Sequence, residues 1–203
     1  MDSRKRMQLY RTTHLWHWIS AAVCFAALTL FTITGITLNH ASAIGAQPVV
    51  ISGTGQLPQN LRTELLKQGD AVEPDAAAFI DWAEGAFHVS LHGATTEWQD
   101  EELYLSAPGP GRDAWVSIDR ASGAAKYETT DRGWVAYFND LHKGRNTGVW
   151  WTIFIDVIAA AVLFFSLTGL VLLWLQAGQR TSTWPLVGGG IAIVAVFMIL
   201  FVH

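Results

Sequence analysis

Long apolar runs that carry almost no charge dominate this sequence. The first lies inside a stretch without Asp, Glu, Lys or Arg, and its nearly continuous apolar part is 16–38. The second, 150–175, carries a single charge, Asp156, and the third, 184–202, carries none. A helix of about 20 residues crosses the roughly 30 Å hydrocarbon layer of a membrane. The chain is therefore expected to be an α-helical membrane protein with three transmembrane helices, at 16–40, 149–176 and 184–203.

Two of these runs have an alternative interpretation. The third has only 19 residues, so a re-entrant or interfacial placement is its alternative, although it shows no polar face. The first run is followed by small residues at 41–43 that resemble a signal-peptide cleavage site. Its apolar part is longer than the roughly 7–15 residues of a secretory signal. Both runs are therefore expected to span the membrane.

Basic residues indicate the orientation of the helices. Four basic residues and one acidic residue occupy 1–15, and the loop 177–183 carries one more cation, Arg180. Because loops rich in Lys and Arg stay in the cytoplasm, both segments are expected to be cytoplasmic and 41–148 periplasmic. This outer segment holds 8 basic and 15 acidic residues, and no nucleic-acid partner is expected. The single cysteine, Cys24, cannot form a disulfide within the chain.

The outer segment 41–148 has patterns typical of a small α+β domain. Gly and Pro recur up to about residue 56, which predicts an extended connector. Two short helices are predicted in "QNLRTELLKQG" and "PDAAAFIDWAEGAF". Apolar and polar residues alternate in "FHVSLHG", "EELYLSA" and "DAWVSIDR", which predicts strands, and "AAKYETT" after Gly123 completes a hairpin. The helices are expected to pack on one face of the sheet.

Histidines lie at the ends of the apolar runs. His14 and His17 begin the first helix, and His40 ends it, about 34 Å from His17 along the helix axis. His142 precedes the second helix on the same outer side as His40. Two imidazoles from separate helices are suited to bind the two faces of a haem iron, an arrangement that favours electron transfer. The alternative is that these side chains only contact lipid headgroups or cap helices.

A short motif recurs near the ends of the first two runs. Phe-x-x-Thr-Gly occurs in "FTITGITL", which contains Gly35, and in "FSLTGLVL", which contains Gly169. The two helices run in opposite directions, so the motifs form an inverted repeat, with Gly35 at the level of the outer histidines and Gly169 at that of the inner pair. A glycine there admits either a flat macrocycle or a neighbouring helix, and both interpretations stay open.

The inner histidines do not complete a haem site by themselves. His14 and His17 are three residues apart and share one face of the helix. A haem at this level needs a homodimer or a partner subunit; otherwise there is one haem or none. Asp156 is an acid at membrane depth, and it is expected to orient a ligand histidine with Arg145 nearby. Contact with water or Lys143 is the alternative for Asp156.

The pieces "THLWHWIS", "TGITLNH" and "NDLHKGRNTG" resemble the PepSY-associated transmembrane helix family. The segment 41–148 resembles the small PepSY domain that its members carry. The resemblance implies a bacterial inner-membrane protein linked to siderophore uptake. It also implies a haem b whose first candidate ligands are His40 and His142 and whose second candidates are His14 or His17. Some members are haem-bearing reductases of ferric siderophores. Three helices and one outer domain depart from those larger reductases.

Two functions of different classes follow. The first is electron transfer, by a haem b protein that is a ferric-siderophore reductase or a subunit of one and meets the siderophore at the periplasmic face. The second is a non-enzymatic envelope module whose PepSY-like domain binds a partner protein. The sequence has no CxxCH attachment site, no nucleotide or flavin fingerprint and no catalytic triad. Any haem is therefore expected to be noncovalent, and no catalytic residue is assigned.

Overall fold

The computed structural model describes residues 2–45, 47–68 and 75–202. Among these residues, three helices are long and apolar enough to cross a membrane. They are α1 (Ser3–Asn39), α5 (Val149–Gln176) and α6 (Thr183–Phe201). Helix α1 begins at Ser3, so the predicted cytoplasmic segment 1–15 is itself helical from that residue onward. The prediction of three long apolar helices is confirmed.

The chain divides into two compact units. The first comprises Met1–Leu30 and Phe154–His203, and the second comprises Phe31–Ile153. The second unit therefore contains the end of α1, the predicted outer domain and the start of α5. Each of the two Phe-x-x-Thr-Gly motifs falls in a different unit.

A five-stranded antiparallel sheet is the centre of the second unit. Its strands are β1 (Val49–Gln56), β2 (Thr95–Trp98), β3 (Glu102–Ser106), β4 (Arg112–Asp119) and β5 (Ala124–Asp131). Their spatial order is β1-β5-β4-β3-β2, so β2 to β5 form a meander and β1 joins it beside β5. Gly123 has a φ of +71° in the β4–β5 turn, where Ser122 also donates two hydrogen bonds to Asp119. These bonds hold the pKa of the Asp119 carboxyl below its usual value.

Two helices cover one face of this sheet. They are α2 (Gln59–Gln68) and α3 (Ala77–Phe87). Leu65 from α2 and Phe79 from α3 are fully buried with Leu105 and Val116 from the strands. Alternate residues of β3 and β4 are buried, because successive side chains of a strand point to opposite faces. The expected small α+β domain with its helices on one sheet face is confirmed.

One predicted strand is wrong. The segment "FHVSLHG" is not a strand, because α3 continues to Phe87 and His88 ends it with a left-handed φ of 53°. The backbone N–H of Leu91 then donates to the Glu84 carboxylate at 2.6 Å, which ties this segment to α3 instead of to a neighbouring strand. Val89 and Leu91 still join the core.

The predicted extended connector up to residue 56 is also wrong in its second half. Val49–Gln56 is an edge strand that pairs with the whole of β5. Glycines in this strand permit close contact with aromatic rings of the domain. A Cβ on Gly53 would lie 2.7 Å from Tyr127, and one on Gly55 would lie 2.7 Å from Phe87. The glycines that suggested a loop therefore make room for packing.

A further helix was not predicted from the sequence. Helix α4 (Gly133–Lys143) follows β5 and ends at Gly144, which has a φ of +66°. The backbone N–H of Gly144 donates to carbonyl groups of the last turn, the usual way in which a glycine closes a helix. This helix matters for function because it carries His142.

Candidate functional site

Helix α4 is attached to the end of α1 by polar contacts within the second unit. The Thr37 hydroxyl donates to the side-chain oxygen of Asn139 at 2.8 Å. At the start of α5, the Trp151 indole N–H donates to the Leu141 carbonyl at 2.9 Å, which attaches α4 to that helix as well. Asn139 is buried, with 7% exposure, so its hydrogen bond to α1 compensates for the loss of water. These contacts place His142 beside α1.

A buried carboxylate attaches α4 to the sheet. Asp140, with 5% exposure, accepts hydrogen bonds from the Gly111 backbone N–H at 2.9 Å and from Arg132 at 3.1 Å. Arg132 also lies 3.4 Å from Asp113. The position of His142 is therefore set from two sides, by α1 and by the start of β4.

His142 contacts all three defined residues of the first motif. Its Nδ1 lies 2.7 Å from the hydroxyl oxygen of Thr34, which is buried. Its ring centroid lies 5.2 Å from that of Phe31. A Cβ on Gly35 would lie 3.4 Å from the Cε1 atom of His142. The space left by this glycine is thus occupied by the imidazole.

His17 makes the same contacts with the second motif, inside the first unit. Its Nδ1 lies 3.0 Å from the Thr168 hydroxyl oxygen and 3.2 Å from the Phe165 carbonyl oxygen. The imidazole stacks on Phe165 with centroids 4.5 Å apart and planes 13° apart. A Cβ on Gly169 would lie 3.2 Å from its Cε1. Each copy of the motif therefore holds one histidine through the same three positions.

The hydrogen-bond geometry favours a proton on Nδ1 of both histidines. The Thr34 hydroxyl donates to the Phe31 carbonyl at 3.2 Å, and the Thr168 hydroxyl donates to the Phe165 carbonyl at 2.8 Å. A hydroxyl has one proton to donate, so a threonine that donates to its carbonyl accepts from the histidine Nδ1–H. For His17 the nearby Phe165 carbonyl, which can only accept, supports this assignment, whereas for His142 it depends on the Thr34 bond to Phe31. The neutral imidazole then has its lone pair on Nε2. Histidines that bind metals usually have this arrangement, with the second nitrogen donating to a nearby oxygen.

His40 has the same tautomer but lies in the turn that follows α1. It is exposed, and its Nδ1–H donates to the Ile36 carbonyl at 2.9 Å. Among the contacts of the described residues, none joins His40 to His142. That these two side chains share an iron stays a prediction.

The remaining predicted site residues are solvent- or lipid-exposed. His14 is exposed, and its ring lies 5.9 Å from that of Tyr10 on the same helix. Asp156 is exposed in the first unit and Arg145 in the second, so their role beside a ligand histidine stays a prediction. Within the described part of the chain, no group of three or more His, Cys, Asp or Glu side chains is placed to hold a metal ion.

Sequence reasoning identified the glycines of the motif and missed the threonines. Thr34 and Thr168 are both buried, and both bond a histidine Nδ1. The signal was present, because Thr recurs at the same position of both motifs. A polar residue repeated beside a glycine in two apolar helices favours a hydrogen-bonded partner, since an unpaired hydroxyl in hydrocarbon is costly.

Comparisons with known proteins support the resemblance drawn from the sequence. No curated protein and no solved structure matches this chain. The PepSY_TM-like family model matches residues 8–203, a range that includes both histidine sites and the whole sheet domain. The protein is therefore a membrane protein that belongs to the PepSY_TM-like family.

Proposed function

We propose that this protein is an electron-transfer protein of the bacterial inner membrane that binds haem b noncovalently and takes part in ferric-siderophore reduction, as the reductase or as a subunit of one. The proposal depends on one observation. Two histidines, His142 and His17, each lie with Nδ1 within hydrogen-bond distance of the threonine of a Phe-x-x-Thr-Gly motif, and an Nδ1–H donor would leave the lone pair on Nε2.

The donor set fits a haem. An imidazole Nε2 is a common axial ligand of haem iron, and both histidines present that atom in the ligand-competent tautomer. His142 would hold a haem on the outer side, with His40 as the second candidate there. His17 would hold one on the inner side, where His14 lies on the same helix and a second copy or a partner subunit would supply the opposing imidazole.

The motif residues would control the ligand. Thr34 and Thr168 accept the Nδ1–H bond, which fixes the ring orientation and increases the basicity of Nε2. Phe31 and Phe165 shield one side of each ring from water. A bound haem b would supply a one-electron carrier with no open site for oxygen if both axial positions were filled.

Iron release is the chemistry that such a protein would perform. A siderophore binds Fe(III) through hard oxygen ligands and binds Fe(II) far more weakly, so one electron delivered to the complex frees the metal. The proposed orientation places the second unit in the periplasm, where the siderophore arrives. Exposed aromatic side chains there, Trp134 and Trp150, would either contact the siderophore or lie at the membrane surface.

A specific observation also favours the non-enzymatic alternative. The rings of His142 and His17 occupy the space at Gly35 and Gly169, which is a packing role that needs no cofactor. In that case the two sites would hold helices together, and the sheet domain would bind a partner protein.

An absorption spectrum of the purified full-length protein in detergent separates these functions. We expect a Soret band in the oxidised protein and sharpened visible bands after dithionite reduction. His142→Gln and His17→Gln should each reduce haem content or change these bands, because each removes a ligand imidazole. His92→Ala is the matched control, since His92 is exposed in the sheet domain and far in sequence from both motifs.

Reduction of the substrate needs a second measurement. The dithionite-reduced protein, mixed without oxygen with an Fe(III)–hydroxamate complex, should return to the oxidised spectrum as Fe(II) appears. A colourless protein after expression with haem precursors would contradict the haem proposal and favour the interaction module. A coloured protein that the Fe(III) complex does not reoxidise would keep electron transfer and exclude this substrate class.

A further inference from the structure

A cavity lies at the end of the first unit, between the start of α1 and the segment after α5. Its volume is about 700 Å³. Its polar lining comes from Arg6, Tyr10, Gln176, Gln179 and Arg180, and Met7 and Leu175 add apolar surface. Among the described residues that line it, none is acidic, and two guanidinium groups contribute to the lining; the nearest acid along the chain, Asp2, bonds Ser3 and the Arg4 N–H instead.

One of these guanidinium groups is held in place. A terminal nitrogen of Arg6 donates to the Leu175 carbonyl near the end of α5 at 2.6 Å. A guanidinium has five N–H donors, so this contact leaves most of its donors for another acceptor. Arg180 is exposed and lines the same cavity. Paired guanidinium groups bind phosphate oxygens well because their planar donors match the spacing of those oxygens.

The neutral polar groups of the cavity suit the same ligand. The Gln176 side-chain amide donates to the Tyr10 hydroxyl at 3.4 Å, which links α5 to α1 beside Arg6. The hydroxyl proton of Tyr10 is then available to an anion, and Gln179 adds a further donor to the lining.

The position of the cavity points to a lipid and not to a soluble anion. It lies where the apolar part of α5 ends, next to Trp174, which is half exposed. Tryptophan at the end of an apolar helix is typical of the membrane–water boundary. Met7 and Leu175 offer apolar surface next to the cations, which suits the glycerol and upper acyl carbons of a phospholipid. We propose that this cavity binds the phosphate of an anionic phospholipid.

Binding can be measured by native mass spectrometry on the full-length protein in detergent. We expect phosphatidylglycerol to stay bound and phosphatidylcholine to dissociate, because the zwitterionic headgroup does not match two cations. Arg180→Gln should weaken phosphatidylglycerol binding by roughly tenfold, the effect of losing one charge-assisted contact. Lys5→Gln is the matched control: Lys5 is an exposed cation on the same turns of α1 that does not line the cavity.

A second variant distinguishes loss of lipid binding from misfolding. Arg6→Lys keeps the charge but loses the paired donors, and it should weaken binding without changing the helix content measured by circular dichroism. Equal retention of the two lipids, or equal effects of Arg180→Gln and Lys5→Gln, would overturn the inference. Displacement of phosphatidylglycerol by inorganic phosphate at similar concentration would show a site for free anions and would also overturn the lipid assignment. The result does not depend on whether haem binds.

Discussion

The two histidines differ in how many acceptors their Nδ1–H can reach. His142 contacts the Thr34 hydroxyl oxygen at 2.7 Å, whereas His17 has both the Thr168 hydroxyl oxygen and the Phe165 carbonyl oxygen within 3.2 Å. A buried donor that loses its partner costs about 1–3 kcal/mol of stability. His142 is therefore more dependent on its threonine than His17.

Replacing each threonine by valine tests this difference. Thr34→Val keeps the shape and removes the acceptor, and it should lower the free energy of unfolding by about 1–3 kcal/mol. Thr168→Val should cost less, because the Phe165 carbonyl still accepts the His17 proton. Thr32→Val is the control, since Thr32 is exposed on the same helix as Thr34. Denaturant titration in detergent measures all three, and equal losses at Thr34 and Thr32 would refute the assigned contact.

The sequence predicted which motif glycine and which histidine lie at the same level of the helices. The levels of Gly35 with His142, and of Gly169 with His17, follow from helix length and the repeat alone. The tautomer does not, because it depends on backbone carbonyls three residues before each threonine. The position of His40 relative to His142 also required the structure, since α4 was not predicted from the sequence.

At the scale of elements, α4 shows why part of the fold escaped prediction. Its buried face includes Asn139 and Asp140, with 7% and 5% exposure, where periodicity would require apolar residues. Those polar residues are stable inside because α1 and Arg132 supply their partners. The strands β3 and β4 were predictable because their buried positions are apolar and alternate regularly. Strand β5 shows no such alternation and was predictable from the hairpin at Gly123.

Removal of the Asp140 carboxylate should loosen α4. Asp140→Ala leaves Arg132 partly buried and the Gly111 N–H without its acceptor. Breaking a fully buried ion pair costs about 3–5 kcal/mol, and we expect about 2–3 kcal/mol here because Arg132 keeps Asp113. Hydrogen exchange of the full-length protein should show loss of protection at Gly111 and along α4.

Asp113→Ala is the comparison for this variant. Its carboxylate is 41% exposed and contacts the same guanidinium, so the loss should be below about 1 kcal/mol, as for an exposed ion pair. Similar exchange in both variants would mean that Asp140 does not hold α4 on the sheet.

At the scale of the whole molecule, the basic residues predict the orientation in the membrane. The start of α1, in segment 1–15, and the end of α5, beside segment 177–183, are expected to face the cytoplasm. Cys24 is the single cysteine of the sequence and is fully buried. In a Cys24→Ala variant, one introduced cysteine is therefore the only thiol that a maleimide can label. We expect a membrane-impermeant maleimide to label Ala121→Cys in intact spheroplasts and to label Ser182→Cys only after permeabilisation. Both positions are exposed. The reverse pattern would invert the proposed orientation and place the acidic domain in the cytoplasm.

Helix α1 is 37 residues long, about 55 Å, whereas a membrane crossing uses roughly 30 Å. Its opening turns carry the basic residues and are expected to extend beyond the hydrocarbon, and Arg6 in them donates to the Leu175 carbonyl near the end of α5. Shortening the chain before residue 10 would remove a wall of the first unit and not a loose tail. A fusion partner or purification tag placed directly before these turns would extend a helix that contacts α5 through Arg6.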